Sequence, residues 1–105
     1  MKSKKVILTE IKNIVQRVEP DATIILFGSY ARGEQNINSD IDLLILINKE
    51  KMTWEDEKRI TYPLYNFQFM ENIPISPVVK TKTEWELKFR NTDFYLNIND
   101  DGIQL

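Results

Sequence analysis

The sequence predicts an α+β protein: a small β-sheet of three to five strands with helices packed against it, α/β in two layers. Three observations carry that prediction. Ile7, Ile11, Ile14, Val15 and Val18 recur at helical spacing. Thr23 to Phe27 and Ile41 to Ile47 are short apolar runs bounded by turn residues, the pattern of buried strands. Thr53-Trp54-Glu55-Asp56 and Thr83-Glu84-Trp85-Glu86 each set a threonine three positions before an acid, the capping-box signature of a helix start.

A chain of 105 residues fits one domain, spanning 1–105, with an adequate core. Fourteen basic residues stand against sixteen acidic ones, which disfavours non-specific duplex binding and makes nucleic acid an unfavoured partner. Cysteine and histidine are both absent. Disulfide frameworks, zinc–thiolate centres and histidine-based triads are therefore excluded, and any metal must be held by carboxylates. No apolar run approaches the ~20 residues of a membrane span, and Met1-Lys2-Ser3-Lys4-Lys5 leads into no signal-peptide core. The expectation is a cytoplasmic protein without a membrane partner.

Taken in order, Ser3 to Val18 is predicted as an amphipathic helix, which Pro20-Asp21 stops. Thr23 to Phe27 is the first strand. Ser29 to Arg32 is the first turn of a short helix, and Gly33 to Ser39 a polar loop. Ile41 to Ile47 is apolar on both faces, as a central strand covered on both sides should be. The next helix starts at Thr53, is kinked or restarted by Pro63, and continues to about Met70. Ile60, Leu64 and Phe67 form one stripe on it; Tyr62, Tyr65 and Phe69 form another. So broad an apolar surface means either deep burial or a partner interface, with a helical protein or a second copy of the chain. Ile73 to Lys80 reads as a third strand, which Pro74 and Pro77 push toward an edge. A helix opened by Thr83 runs through about Arg90, a further helical segment covers Asp93 to Asn99, and Gly102 to Leu105 ends the chain as a short strand.

The chemistry gathers at one stretch. Leu26-Phe27-Gly28-Ser29-Tyr30-Ala31-Arg32-Gly33 brings a strand into a glycine turn with a hydroxyl, and a Gly-Ser turn opening a helix suits phosphate oxygens. Ser39-Asp40-Ile41-Asp42 then opens the next strand. Residues two apart on a strand share a face, so Asp40 and Asp42 converge while Ile41 points away. Paired carboxylates are the hard oxygen ligands that magnesium takes beside substrate phosphates. Alone, Gly28-Ser29 is a tight turn with Ser29 as a helix cap, and Asp-x-Asp a solvated strand end. Together they point to metal-assisted chemistry on a nucleoside triphosphate.

Gly28-Ser29, ten residues, then Asp40-Ile41-Asp42, with Arg32-Gly33 between, resembles the signature of the nucleotidyltransferase superfamily that includes DNA polymerase beta and kanamycin nucleotidyltransferase. The chain length is similar to that of its minimal branch. The resemblance implies a small mixed sheet and a two-metal magnesium centre held by Asp40 and Asp42 as the catalytic and metal-binding pair. It implies that Gly28 and Ser29 hold the β- and γ-phosphates of a triphosphate, ATP being the expected one. Arg32 is a candidate phosphate contact, with a surface carboxylate or the two aspartates as alternative partners. Ser39 either orients a metal ligand or ends its loop; Lys80 and Lys82 either face the triphosphate or lie solvated at a strand end.

One departure stands out. Members of the superfamily carry a third carboxylate on the strand beside Asp-x-Asp, and here Ser76 occupies the expected position, a neutral hydroxyl and a poor base. Glu71 and Asp93 are the acids in neighbouring elements. The resemblance thus supports an enzyme that moves a nucleoside monophosphate from a triphosphate to a hydroxyl of a protein partner or small molecule. In the minimal branch such domains resemble antitoxins paired with HEPN-type toxins. The alternative is a catalytically impaired nucleotide-binding and protein-interaction module; a modifier of nucleic-acid ends is disfavoured by the acidic balance.

Overall fold

The computed structural model describes residues 2–105. Helix α1 (Lys4–Val18) is capped by Ser3, whose side chain accepts from the Val6 N–H, and it buries Ile7, Ile11 and Val15. Strand β1 (Thr23–Phe27) leads through Gly28 into the single-turn helix α2 (Ser29–Arg32), and β2 (Ile41–Ile47) follows the polar loop. Helix α3 (Trp54–Glu71), strand β3 (Ile75–Thr81), helices α4 (Lys82–Lys88) and α5 (Asp93–Asp101) and the two-residue strand β4 (Ile103–Gln104) complete the chain.

The four strands form one mixed sheet in the order β3-β2-β1-β4. Strand β1 pairs antiparallel with β2 and β4, whereas β2 pairs parallel with β3. Side chains of β2 alternate between two apolar layers. Ile41, Leu43, Ile45 and Ile47 pack under α1 and α3 with Ile11, Ile60 and Leu64. Leu44 and Leu46 face the other way, onto Trp85 of α4 and Ile98 of α5. A strand buried on both faces must be apolar there, which is why β2 is a continuous hydrophobic run beyond Asp42.

Several elements differ in detail from the sequence prediction. Helix α3 begins as expected, with Thr53 and Asp56 forming a reciprocal capping box, but it runs unbroken through Pro63. Pro63 removes one backbone bond, and the fully buried Ile60 and Leu64 on either side of it hold both halves against the sheet. Strand β3 starts at Ile75 rather than Ile73: Pro74 has no N–H to give to a ladder, although its carbonyl accepts the Ile41 N–H (2.8 Å) at the mouth of the β2–β3 pair. Its place at the sheet edge accommodates Pro77 within the ladder. Helix α4 is capped by Thr81, not Thr83, and ends at Lys88. Thr81 also stands three residues before an acid, its Oγ1 accepts the Glu84 N–H (3.0 Å), and the strand delivers it already extended. Helix α5 is longer than expected, reaching Asp101 behind its cap Thr92.

The two stripes on α3 have separate fates. Ile60 and Leu64 are buried and Phe67 packs partly against the same core. Tyr62, Tyr65 and Phe69 face outward, with Trp54 and Met70 also exposed on this helix. Of the two readings, deep burial fits only the first stripe.

Candidate active site

The antiparallel register sets Phe27 opposite Asp42, so the turn after β1 and the start of β2 meet at one end of the sheet. There the chain reverses at Gly28 with φ 73° and ψ −156°, a region open essentially to glycine alone. A Cβ at this position would stand 2.2 Å from Asp42 Oδ2. The glycine therefore serves two ends, the turn and the close approach of backbone to carboxylate. The carbonyl of Gly28 accepts from the N–H groups of Ala31 (3.1 Å) and Arg32 (3.2 Å). Ser29 and Tyr30 open the helix, so their N–H groups have no intrahelical acceptor. Helix α1 steadies the turn, Lys4 Nζ donating to the Tyr30 carbonyl at 2.8 Å.

Asp40 and Asp42 lie on the face of the sheet that carries Leu44 and Leu46, opposite α1 and α3. Burial holds the Asp42 carboxyl above the ordinary carboxylate range, the charge of Asp40 adds to the rise, and the Arg32 guanidinium partly offsets it. Two like charges with so little compensation form a donor set that a divalent cation would relieve. Asp40 and Asp42, close enough for the charge of one to act on the other, are the side chains that would hold such an ion. No third acidic, histidine or cysteine side chain joins them as a metal-holding group among the described residues.

The position where the resemblance expects a third acid falls within the β2–β3 register. Ser76 lies opposite Asp42, and its Oγ donates to Asp40 Oδ2 at 3.0 Å. Glu71 is drawn elsewhere, paired with Lys2 at 3.2 Å. It lines, with Ile7, Tyr30, Gln35 and Ile41, a hollow of about 460 Å³ on the face opposite the carboxylates. Arg32 pairs with Glu34 and lies near enough to Asp42 and Asp101 to be held in its charged form. Of its alternatives the surface carboxylate is thus the direct contact, with Asp42 as a neighbour. Ser39 ends its loop, its Oγ accepting the Asn36 N–H at 2.9 Å. Lys80 pairs in register with Leu46, at the far end of β2, and lies over the Phe89 ring. Lys82 donates to the Asp21 carbonyl. Both lysines are remote from the carboxylates.

Two contributors escaped the sequence reading. The nearness of Asp101 to Arg32 follows from the extra residues at the end of α5. Phe94 packs edge-on against Phe27 with ring centroids 5.3 Å apart and so fixes α5 beside the Gly28 turn. An aromatic immediately before the Gly-Ser turn was the available signal, but its partner is 67 residues away by number.

The chain has counterparts among known proteins. The profile of the nucleotidyltransferase domain family matches residues 8–94. A relative from Methanocaldococcus jannaschii, named "Putative protein adenylyltransferase", is 40% identical over 80 residues, which are 76% of this chain and 74% of the relative. The fold is shared with a crystal structure described as a toxin–antitoxin with AMP-PNP, at a TM-score of 0.61 and 19% identity, over 97% of this chain and 72% of that one. The chain belongs to the nucleotidyltransferase domain family, and it is by class a nucleotidyltransferase. Among the described residues, no helix is long and apolar enough to cross a membrane.

Proposed function

We propose that residues 1–105 act as one nucleotidyltransferase domain that moves a nucleoside monophosphate, with ATP as donor, onto a hydroxyl of a protein partner. The observation that carries this reading is the contact between Gly28 and Asp42, which joins an anion-accepting turn to a carboxylate pair at one spot. In the transfer, the acceptor oxygen bonds to the α-phosphorus, the bond from that phosphorus to the oxygen bridging to the β-phosphate breaks, pyrophosphate leaves, and the hydroxyl proton passes to solvent. Gly28 and Ser29 hold the terminal phosphates. Asp40 and Asp42 supply the oxygens for magnesium, which when bound neutralises charge on the triphosphate. Arg32, paired with Glu34 and within electrostatic reach of Asp42, is the candidate phosphate contact.

A protein acceptor is favoured by two supports. The relative from Methanocaldococcus jannaschii carries the name of a protein adenylyltransferase. The outward stripe of Tyr62, Tyr65 and Phe69 offers an apolar face to a partner, and the structural neighbour is itself a toxin–antitoxin assembly. A helical toxin of the HEPN type is the partner that the sequence resemblance suggests. The second reading, a nucleotide-binding interaction module without turnover, rests on Ser76 standing where a third acid is expected.

The test is thermal stability with each nucleoside triphosphate, with and without magnesium, for wild type and the Asp40→Asn/Asp42→Asn double variant. A ligand at 100 times its Kd adds about 2.7 kcal/mol, or a rise of roughly ten degrees or more in a domain of this size. The expected result is a magnesium-dependent rise with ATP that the double variant loses. No rise with any triphosphate would sink the reading. Transfer of labelled nucleotide to protein then separates the enzyme from the module.

A further inference from the structure

We propose that Ser76 is a positioning residue that fixes Asp40 and makes this centre a site for one divalent cation rather than two. The inference rests on the functional reading above and goes beyond it in the number of ions and in the role of the serine. Three observations carry it. The first is the hydrogen bond itself: a serine hydroxyl has one proton, and Ser76 spends it on Asp40 Oδ2 at 3.0 Å. That oxygen is thereby oriented, and part of its lone-pair capacity is taken.

The second is the approach of the backbone to Asp42. Gly28 lies so close that an added Cβ would meet Oδ2 at 2.2 Å, so this carboxylate sits directly against the turn. The protein then offers one carboxylate from each aspartate. Two oxygens and the phosphates of a triphosphate make an adequate shell for a single magnesium ion, which keeps several waters of its own. A second ion ~3.5–4 Å away would need further anionic oxygens on the protein.

The third observation is that those oxygens are missing. Ser76 is opposite Asp42 in the parallel ladder, the position from which a side chain of β3 reaches the site, and it is neutral. Among the described residues no third acid joins Asp40 and Asp42. The same side chain that withholds a ligand also holds Asp40 in place without adding charge to a pair already short of compensation. Hydrogen-bond partners of metal ligands are worth about 10–100-fold in metal affinity, which sets the scale of the expected loss.

The experiment is equilibrium dialysis of the full chain against manganese and a non-hydrolysable ATP analogue, counting both per chain. It is run on wild type, Ser76→Ala, Ser76→Thr and Ser76→Asp. Wild type is expected to hold one manganese ion per bound nucleotide. Ser76→Ala should keep that ratio with about 10-fold weaker manganese binding, and Ser76→Thr, which retains the hydroxyl, should restore it. Ser76→Asp should bind a second ion. Two ions per nucleotide in wild type would overturn the inference and leave the proposed function standing. Unchanged manganese affinity in Ser76→Ala would remove the positioning role. Nucleotide and metal both failing to bind wild type would bring down the functional reading together with the inference.

Discussion

At Gly28 a single hydrogen in place of a methyl group decides whether turn and carboxylate can coexist. The backbone there is at φ 73°, and Asp42 Oδ2 occupies the space of any Cβ. Gly33 is a useful contrast, since it also has positive φ (71°) but nothing lies within 4 Å of its would-be Cβ. Gly33→Ala should therefore show backbone strain alone, on the order of 1 kcal/mol. Gly28→Ala adds displacement of Asp42 to strain of roughly 1–3 kcal/mol. Its melting temperature should fall by about 5–15 °C, and its response to magnesium and ATP should disappear, while Gly33→Ala keeps that response. A Gly28→Ala protein with a normal nucleotide response would show that the close approach is dispensable.

At the scale of elements, the join between α1 and α3 is electrostatic where it is not apolar. Asp56, at the third position of α3, accepts from the Thr53 N–H (3.0 Å), Lys49 (2.8 Å) and Arg59 (2.8 Å). Glu19, which caps the end of α1, approaches the same two cations at 3.5 and 3.4 Å. The Lys49 ammonium first, then the Thr53 N–H and Arg59, hold the Asp56 carboxyl well below the usual range. A carboxyl depressed in the folded state stabilises it above the ordinary value near 4 and loses that contribution as pH falls below it. Asp56→Asn should thus lower the melting temperature at pH 7 by a few degrees, and the difference from wild type should shrink progressively as pH falls from about 4 toward the depressed folded value. Equal differences at pH 7 and pH 2, followed by circular dichroism, would assign the effect to something other than charge.

Across the whole molecule, the sheet carries two unequal helical layers, and the smaller one reaches the site. Trp85 is 2% exposed and packs on Phe89, Phe94 and Tyr95 with ring centroids 5.1–5.7 Å apart. Phe94 in turn braces Phe27, the residue before Gly28. Trp85→Ala is expected to cost about 3–5 kcal/mol, as large aromatic truncations in cores do. The melting temperature should drop by more than 10 °C, with faster hydrogen exchange along α5 and weaker nucleotide binding. Trp54 is 70% exposed and lies under Lys58, 3.5 Å from its ring. Trp54→Ala should change stability by less than about 1 kcal/mol. Similar losses for the two tryptophans, measured by thermal denaturation, would contradict the layer arrangement.

What the sequence determined by itself is whatever depends on near neighbours. The strands Thr23–Phe27 and Ile41–Ile47, the cap of α3 and the shared face of Asp40 and Asp42 all follow from period, turn chemistry and the two-residue repeat of a strand. That Ser76 stands where the family resemblance expects an acid was also legible, through the resemblance and not through spacing. The tertiary structure alone decided the rest. Competition between Thr81 and Thr83 as the cap of α4 was settled by where β3 ended. The choice between burial and exposure for the aromatic stripes of α3 was settled by which side met the sheet. The bond from Ser76 to Asp40, the collision guarded by Gly28, and the brace of Phe94 on Phe27 join residues distant along the chain. Such contacts depend on how separate elements pack, and packing is fixed by the shape of the whole core rather than by any local pattern.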